Sequence, residues 1–174
     1  MSGNYAQVLK FLPKFLNEYE FISYNQNYKA HKICNNNELF INSFYLYENF
    51  NEKYKKFKNH PIDKKINGYN VLATDKNHFK RLNSIKQERI INTMYHIFLE
   101  WIQIKRPDHV FIPIIESIDS MLLYQICIKE KINPICYCHA RHLNSSFFSD
   151  SHLELLPSFY HKIRANSFQI NKAK

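Results

Sequence analysis

The clearest pattern of apolar and polar positions begins near the middle of the chain. Between residues 83 and 105 apolar side chains recur three or four positions apart, which predicts one long amphipathic helix. Pro107 prevents that helix from continuing. The next segment, Asp108–Ile115, is a short apolar run bounded by helix breakers, which is typical of a strand buried on both faces.

A second helix and a second strand complete this pattern. Ser117 or Asp119 can cap the helix, which we expect to run to about Lys131. The Asn-Pro pair that follows breaks the helix, and Ile135–Cys138 has the character of a buried strand. Strand, helix and strand in this order predict a βαβ unit in a parallel sheet, and therefore an α/β fold.

The N-terminal half of the chain is less regular. Residues 1–20 contain an amphipathic helix, predicted over 4–19, which Pro13 should kink or split. From residue 21 to 74 the pattern indicates strands and loops, with strand-like runs at Glu38–Tyr47 and Tyr69–Thr74 and a turn at Asn67-Gly68. A chain of 174 residues has the length of one domain, so we expect a single domain over 1–174 whose best-defined part is 83–151.

Composition excludes several classes of protein. The chain has only two glycines, so it carries neither a P-loop nor a glycine-rich dinucleotide-binding motif. No apolar stretch has the length of a membrane span, and Lys10 and Lys14 interrupt any signal-peptide core, so we expect a cytoplasmic protein. A location at the surface of the inner membrane stays open, because a basic amphipathic helix can lie on a bilayer.

The net charge of +9 belongs mainly to the first half, where residues 1–87 carry 14 basic against 7 acidic side chains. Such an excess fits a solvated basic face, although it can also attract nucleic acid, anionic lipid or anionic sugars.

Candidate chemistry follows the two predicted strands. Parallel strands end at the same edge of a sheet, and open α/β sheets bind ligands beyond that edge. Glu116 and Asp119 follow the first strand, and His139 and Arg141 follow the second. A carboxylate, an imidazole and a guanidinium can together remove a proton from a hydroxyl and hold an anion. The alternative is that the two carboxylates only cap the helix, with Arg141 paired to one of them.

The four cysteines do not form a metal site of the usual spacing. Cys34 and Cys127 stand apart, whereas Cys136 and Cys138 lie two positions apart inside a predicted strand rather than on a tight turn. We therefore expect reduced, metal-free thiols, with Cys136 and Cys138 on one face of the sheet under a helix.

Four segments between Asp75 and Pro157 carry a family resemblance. They are DKNHF at 75–79, KRPDHVFIP at 105–113, ESIDSMLLYQICIKEKINP at 116–134 and YCHARHLNSSFFSDS at 137–151. This half of the chain resembles the N-terminal part of bacterial capsule and surface-polysaccharide biosynthesis proteins, which are similar to two-domain glycosyltransferases of the GT-B type. The resemblance implies a Rossmann-like open parallel sheet flanked by helices, forming one half of a GT-B-like architecture.

The resemblance also implies roles for individual residues. This half would bind a saccharide or anionic glycan acceptor, with Glu116, ranked first, and His139 as candidate catalytic bases and Arg141 as the contact to an anionic group. Lesser contributions to substrate binding would come from five further residues: Asp75, His78, Ser117, Asp119 and Asp150. Asp75 and His78 stand in the loop before the long helix, where a His-Phe pair is also typical of plain packing.

The same resemblance leaves the enzymatic status open. No metal or cofactor is expected in this chain, because the nucleotide-sugar donor would bind a second domain for which the sequence up to Lys174 leaves no room. Transfer activity would then depend on that missing domain. The alternatives are a non-catalytic interaction domain of a polysaccharide assembly and, less favoured, a basic module that binds nucleic acid.

Overall fold

The computed structural model describes residues 6–7, 9–75, 79–113, 115–139 and 146–151. The described residues belong to two compact units. The first unit lies within Met1–Ile62 and Arg81–Trp101, and the second within Asp63–Lys80 and Ile102–Lys174. The single domain over 1–174 stays a prediction.

The fold is mixed α/β, which confirms the predicted class at that level. The helices are α1 (Leu12–Phe15), α2 (Tyr28–Asn35), α3 (Phe50–Phe57), α4 (Gly68–Thr74), α5 (Ser84–Lys105) and α6 (Ile118–Lys129), with a single 3₁₀ turn at Phe79–Arg81. The strands are β1 (Ile22–Asn25), β2 (Asn42–Tyr45), β3 (His109–Ile112), β4 (Asn133–His139) and β5 (Ser146–Ser149).

The first unit contains a two-stranded parallel sheet in which β1 pairs with β2 and α2 connects them. One face of β1 carries Tyr24, whose ring lies 5.3 Å from that of Phe98 and 4.9 Å from that of Trp101, both on α5. Aromatic pairs at such distances stabilise a core beyond their burial alone. Alternation along the strand therefore turns Ser23 and Asn25 to the other face, where both are buried.

The second unit contains a three-stranded sheet in the order β3-β4-β5. β3 and β4 are parallel, with Ile112 opposite Cys136, and β5 is antiparallel to β4. Helix α6 packs against both parallel strands and buries its apolar residues there, including Leu122, Ile126 and Cys127. The predicted βαβ unit is thus confirmed, with β3 and β4 as neighbours.

Both helices that flank β3 end on a residue with positive φ. Arg106 after α5 has a φ of 44°, and Lys131 after α6 has a φ of 60°. At the end of α6 the Ile132 amide donates to the Cys127 carbonyl at 2.9 Å, which closes the helix in the manner of a Schellman motif. Glycine is the usual residue at this position, because it adopts a positive φ without a steric penalty. This chain has only two glycines and has a lysine and an arginine at these two helix ends instead.

Two predictions for the N-terminal half are wrong. Tyr69–Thr74 is helical rather than a strand, because the Asn67 side chain accepts a hydrogen bond from the Asn70 amide at 3.1 Å and caps α4. The Asn67-Gly68 pair therefore begins a helix instead of making a hairpin turn. The predicted N-terminal helix is split, as expected from Pro13: residues 6–7 and 9 are helical, residues 10–11 form a turn, and α1 has Pro13 in its first turn. It ends at Phe15, four residues before the predicted end.

Within the described residues, no helix combines the length and the apolar character that crossing a membrane requires. Even α5, with 22 residues, carries charged side chains at both ends.

Candidate functional site

The site predicted from the sequence centres on the loop between β3 and α6. The Ser117 amide donates to Ser120 Oγ at 3.2 Å, and Ser120 Oγ donates to the Ser117 carbonyl at 2.9 Å. These bonds satisfy groups that the first turn of a helix otherwise leaves unpaired. Ser117 is thereby the N-cap, Glu116 directly precedes the helix, and Asp119 lies in its first turn.

The fold changes the acidity of the Asp119 carboxyl. The side chain as a whole is partly exposed, yet its surroundings are dense enough that burial raises the pKa of the Asp119 carboxyl above its ordinary value, against a hydrogen bond from the Ser117 side chain. A carboxylate with a raised pKa is a stronger base and is better suited to accept a proton from a hydroxyl. Glu116, in contrast, is exposed to solvent.

The second strand reaches farther than the sequence indicates. β4 continues through His139, three residues beyond the Cys136 that pairs with Ile112, because β5 supplies it with a partner. The backbone of His139 is therefore paired with Ser146 inside the sheet instead of beginning a loop. The position remains at the carboxyl end of β4, the edge to which Glu116 and Asp119 belong.

The remaining predicted residues are not gathered by any described contact. Asp75 follows α4, and its Oδ2 accepts a hydrogen bond from the Phe79 amide at 2.6 Å, which uses the carboxylate locally. Asp150 is exposed just after β5. His78 and Arg141, together with the side chain of His139, lie outside the described residues.

The thiols of the second unit are buried under α6. Cys127 and Cys136 are free and buried, and burial raises the pKa of Cys127 to about 12, with a smaller contribution in the same direction from Cys136. A thiol of that pKa stays protonated and is a poor nucleophile at neutral pH. Cys136 thus lies under a helix as expected, while the side chain of Cys138 is outside the described residues. Among the residues with assigned positions, no three His, Cys, Asp or Glu side chains are grouped as metal ligands.

Sequence reasoning missed a polar network in the first unit. Ser23 Oγ donates to Ser43 Oγ at 2.8 Å, and Asn25 Nδ2 lies 2.9 and 3.0 Å from these two hydroxyl oxygens. His31 Nδ1, on the connecting helix, lies 3.0 Å from Ser43 Oγ. In ISYN serine and asparagine alternate with larger side chains, which is a weak strand signal, whereas NSFY shows no such alternation. Because Ser23 and Asn25 are fully buried, the network fixes α2 on the strands.

Comparisons with protein-family models, with curated proteins and with solved structures find no match to this chain.

Proposed function

We propose that the chain is the acceptor-binding half of a GT-B-like glycosyltransferase that acts in bacterial capsule or surface-polysaccharide biosynthesis. In this proposal the second unit is part of a Rossmann-like fold, and a saccharide or anionic glycan binds at the carboxyl edge of β3 and β4. Two observations support it together: the resemblance of residues 75–157 to that family, and the parallel pair whose carboxyl edge carries Glu116 and Asp119.

The chemistry is carried by the position of the Asp119 carboxyl in the first turn of α6, in surroundings whose burial raises its pKa. In glycosyl transfer the acceptor hydroxyl oxygen bonds to the anomeric carbon of the donor sugar, and the bond from that carbon to the nucleotide diphosphate breaks. The hydroxyl proton must go to a base, and efficiency is greatest when the pKa of the base lies near the working pH. We assign this role to Asp119 and leave to the exposed Glu116 the binding of acceptor hydroxyls. Among the residues with described side chains, Asp119 therefore replaces Glu116 as the first candidate for the base.

The neighbouring groups fit the same assignment. The N-terminus of α6 carries partial positive charge, which favours an anionic group of the acceptor near Ser117. His139 and Arg141 follow the same edge of the sheet in the sequence and would add a second proton carrier and a bidentate anion contact.

The test has one arm for binding and one for transfer. A glycan array identifies an oligosaccharide that the chain binds, and titration gives its Kd. Release of nucleotide diphosphate from a panel of nucleotide sugars, measured with a donor-binding partner domain supplied, reports transfer. Asp119→Asn should lower kcat by about a hundredfold or more, in the range for loss of a general base, while Kd changes little. Glu116→Gln should instead weaken binding.

Asp108→Asn is the matched control, because this exposed carboxylate precedes β3 and so belongs to the opposite edge of the same sheet. It should leave both readouts unchanged. Binding of the oligosaccharide without transfer, even with a donor-binding partner domain supplied, would identify the chain as the non-catalytic interaction domain of a polysaccharide assembly. Absence of any saccharide binding would contradict the proposal.

A further inference from the structure

A groove of about 650 Å³ lies in the first unit. One wall is the N-terminal segment, and the other is the end of α2 with the loop that follows it. Ten residues line it: Gln7, Lys10, Phe11, Lys14, Lys32, Ile33, Asn36, Asn37, Glu38 and Leu39. Its volume is within the roughly 300–1,000 Å³ of small-molecule sites.

The groove is positively charged. Three ammonium groups, of Lys10, Lys14 and Lys32, face one carboxylate, of Glu38. Within the described part of the chain none of these three lysines forms an ion pair. Like charges with few counter-charges raise the local potential and draw in an anion.

Aromatic rings hold the ammonium groups in place. Lys10 Nζ and Lys14 Nζ lie 4.9 and 5.7 Å from the centre of the same ring, that of Phe11, and Lys32 Nζ lies 5.0 Å from the centre of the Tyr28 ring. Cation–π attraction of this kind restricts the two N-terminal ammonium groups to the surroundings of one ring, so less side-chain freedom is lost when an anion binds.

The walls are tied together by one amide. Asn37 Nδ2 donates to the Lys10 carbonyl at 3.0 Å, and Asn37 Oδ1 accepts from the Leu39 amide at 3.0 Å. Phe11 remains 46% exposed and supplies apolar surface beside the charges. The groove thus offers cations and an aromatic face together.

We propose that this groove binds a phosphate-bearing ligand. A phosphate group carries up to two negative charges, which matches the excess of three ammonium groups over one carboxylate, and lysine ammonium groups are common phosphate ligands. An apolar or ring portion of the ligand lies on Phe11. The site is independent of the proposed transfer function, because all its residues belong to the first unit and those of the acceptor site to the second.

The test is calorimetric titration of the full chain with inorganic pyrophosphate, together with co-sedimentation with vesicles of phosphatidylcholine alone or with phosphatidylglycerol. Lys14→Ala combined with Lys32→Ala should weaken binding about 25-fold, about fivefold for each ammonium group. Lys29→Ala combined with Lys86→Ala is the matched control, since both lysines are exposed, lie outside the groove and remove the same charge.

The proposal is supported if pyrophosphate binds saturably and if the groove variant loses this binding while the control variant keeps it. The ligand is then a soluble phosphate compound. Binding only to phosphatidylglycerol vesicles, with the same pattern among the variants, supports it with a lipid headgroup as ligand. The proposal is overturned if neither probe binds, or if the control variant weakens binding as much as the groove variant.

Discussion

At the scale of single residues, the structure distinguishes Asp119 from Glu116, two carboxylates that the sequence places at the same candidate site. Glu116 and Asp119 are both carboxylates beside a helix start, and the sequence favours Glu116 as base because it directly follows the strand. Only the packing around the first turn of α6 distinguishes them, by raising the pKa of Asp119. Burial of this kind depends on residues distant in sequence, so no local pattern could have revealed it.

The raised pKa predicts how stability depends on pH. Folded Asp119 keeps its proton to higher pH than the unfolded carboxyl, whose ordinary pKa is 3.8. This proton therefore makes its full contribution to the free energy of unfolding below pH 3.8. The contribution is lost as the pH rises through the pKa that the carboxyl has in the folded protein. Asp119→Asn should remove this loss and so raise the free energy of unfolding at pH 7.

Urea denaturation of wild type and Asp119→Asn at pH 4, 5.5 and 7 measures the effect. The difference between the two proteins should grow with pH. A constant difference across the three pH values would mean that the Asp119 pKa is ordinary, and the assignment of the base would then lose its support.

At the scale of elements, the sequence predicted the parts whose periodicity is complete. α5 was predicted to within one residue at its start, and the parallel pairing of β3 with β4 followed from two apolar runs around a helix. β2 lies inside the strand-like run predicted at Glu38–Tyr47, whereas β1 was not predicted, because it is short and its buried face carries Ser23 and Asn25 rather than apolar side chains. The helix α2 was missed as well, since it is only eight residues long and buries just Ala30 and Cys34. A hydrogen-bonded polar face gives no hydrophobic signal.

β5 was missed for a different reason. Its residues, SFFS, follow a largely polar sequence and form a strand by pairing with β4. Pairing between strands decides such an element, whereas local propensity does not.

The end of α6 offers a prediction at this scale. Lys131 has a φ of 60°, a conformation that strains residues with a Cβ atom by roughly 1 kcal/mol and leaves glycine unstrained. Lys131→Gly should therefore raise the free energy of unfolding by up to about 1 kcal/mol, the greater flexibility of glycine in the unfolded chain opposing part of the gain.

Lys129→Gly is the control, because Lys129 is helical and its ammonium lies 3.4 Å from the Asp63 carboxylate. That substitution should destabilise the protein. Chemical denaturation measures both variants, and a lower stability of Lys131→Gly than of wild type would refute the strain at the helix end.

At the scale of the whole molecule, the basic residues of the first unit fall into two groups. Of the lysines concentrated at residues 53–65, Lys53 and Lys56 both pair with Glu100 on α5. Burial raises the pKa of Glu100, but the two ammonium groups outweigh burial and hold that pKa below its ordinary value. Lys10, Lys14 and Lys32 form no ion pair among the described residues, so the groove is where the basic charge is free to attract an anion.

The proposed saccharide site lies at one edge of one sheet, and mapping the bound saccharide tests this proposal most directly. Backbone amide resonances are recorded by NMR while the chain is titrated with the oligosaccharide that an array identifies. We expect the largest shifts at residues 115–120 and 137–139, at the carboxyl edge of β3 and β4. Shifts confined to residues 108–109 and 132–134, at the opposite edge, or to the first unit would contradict it.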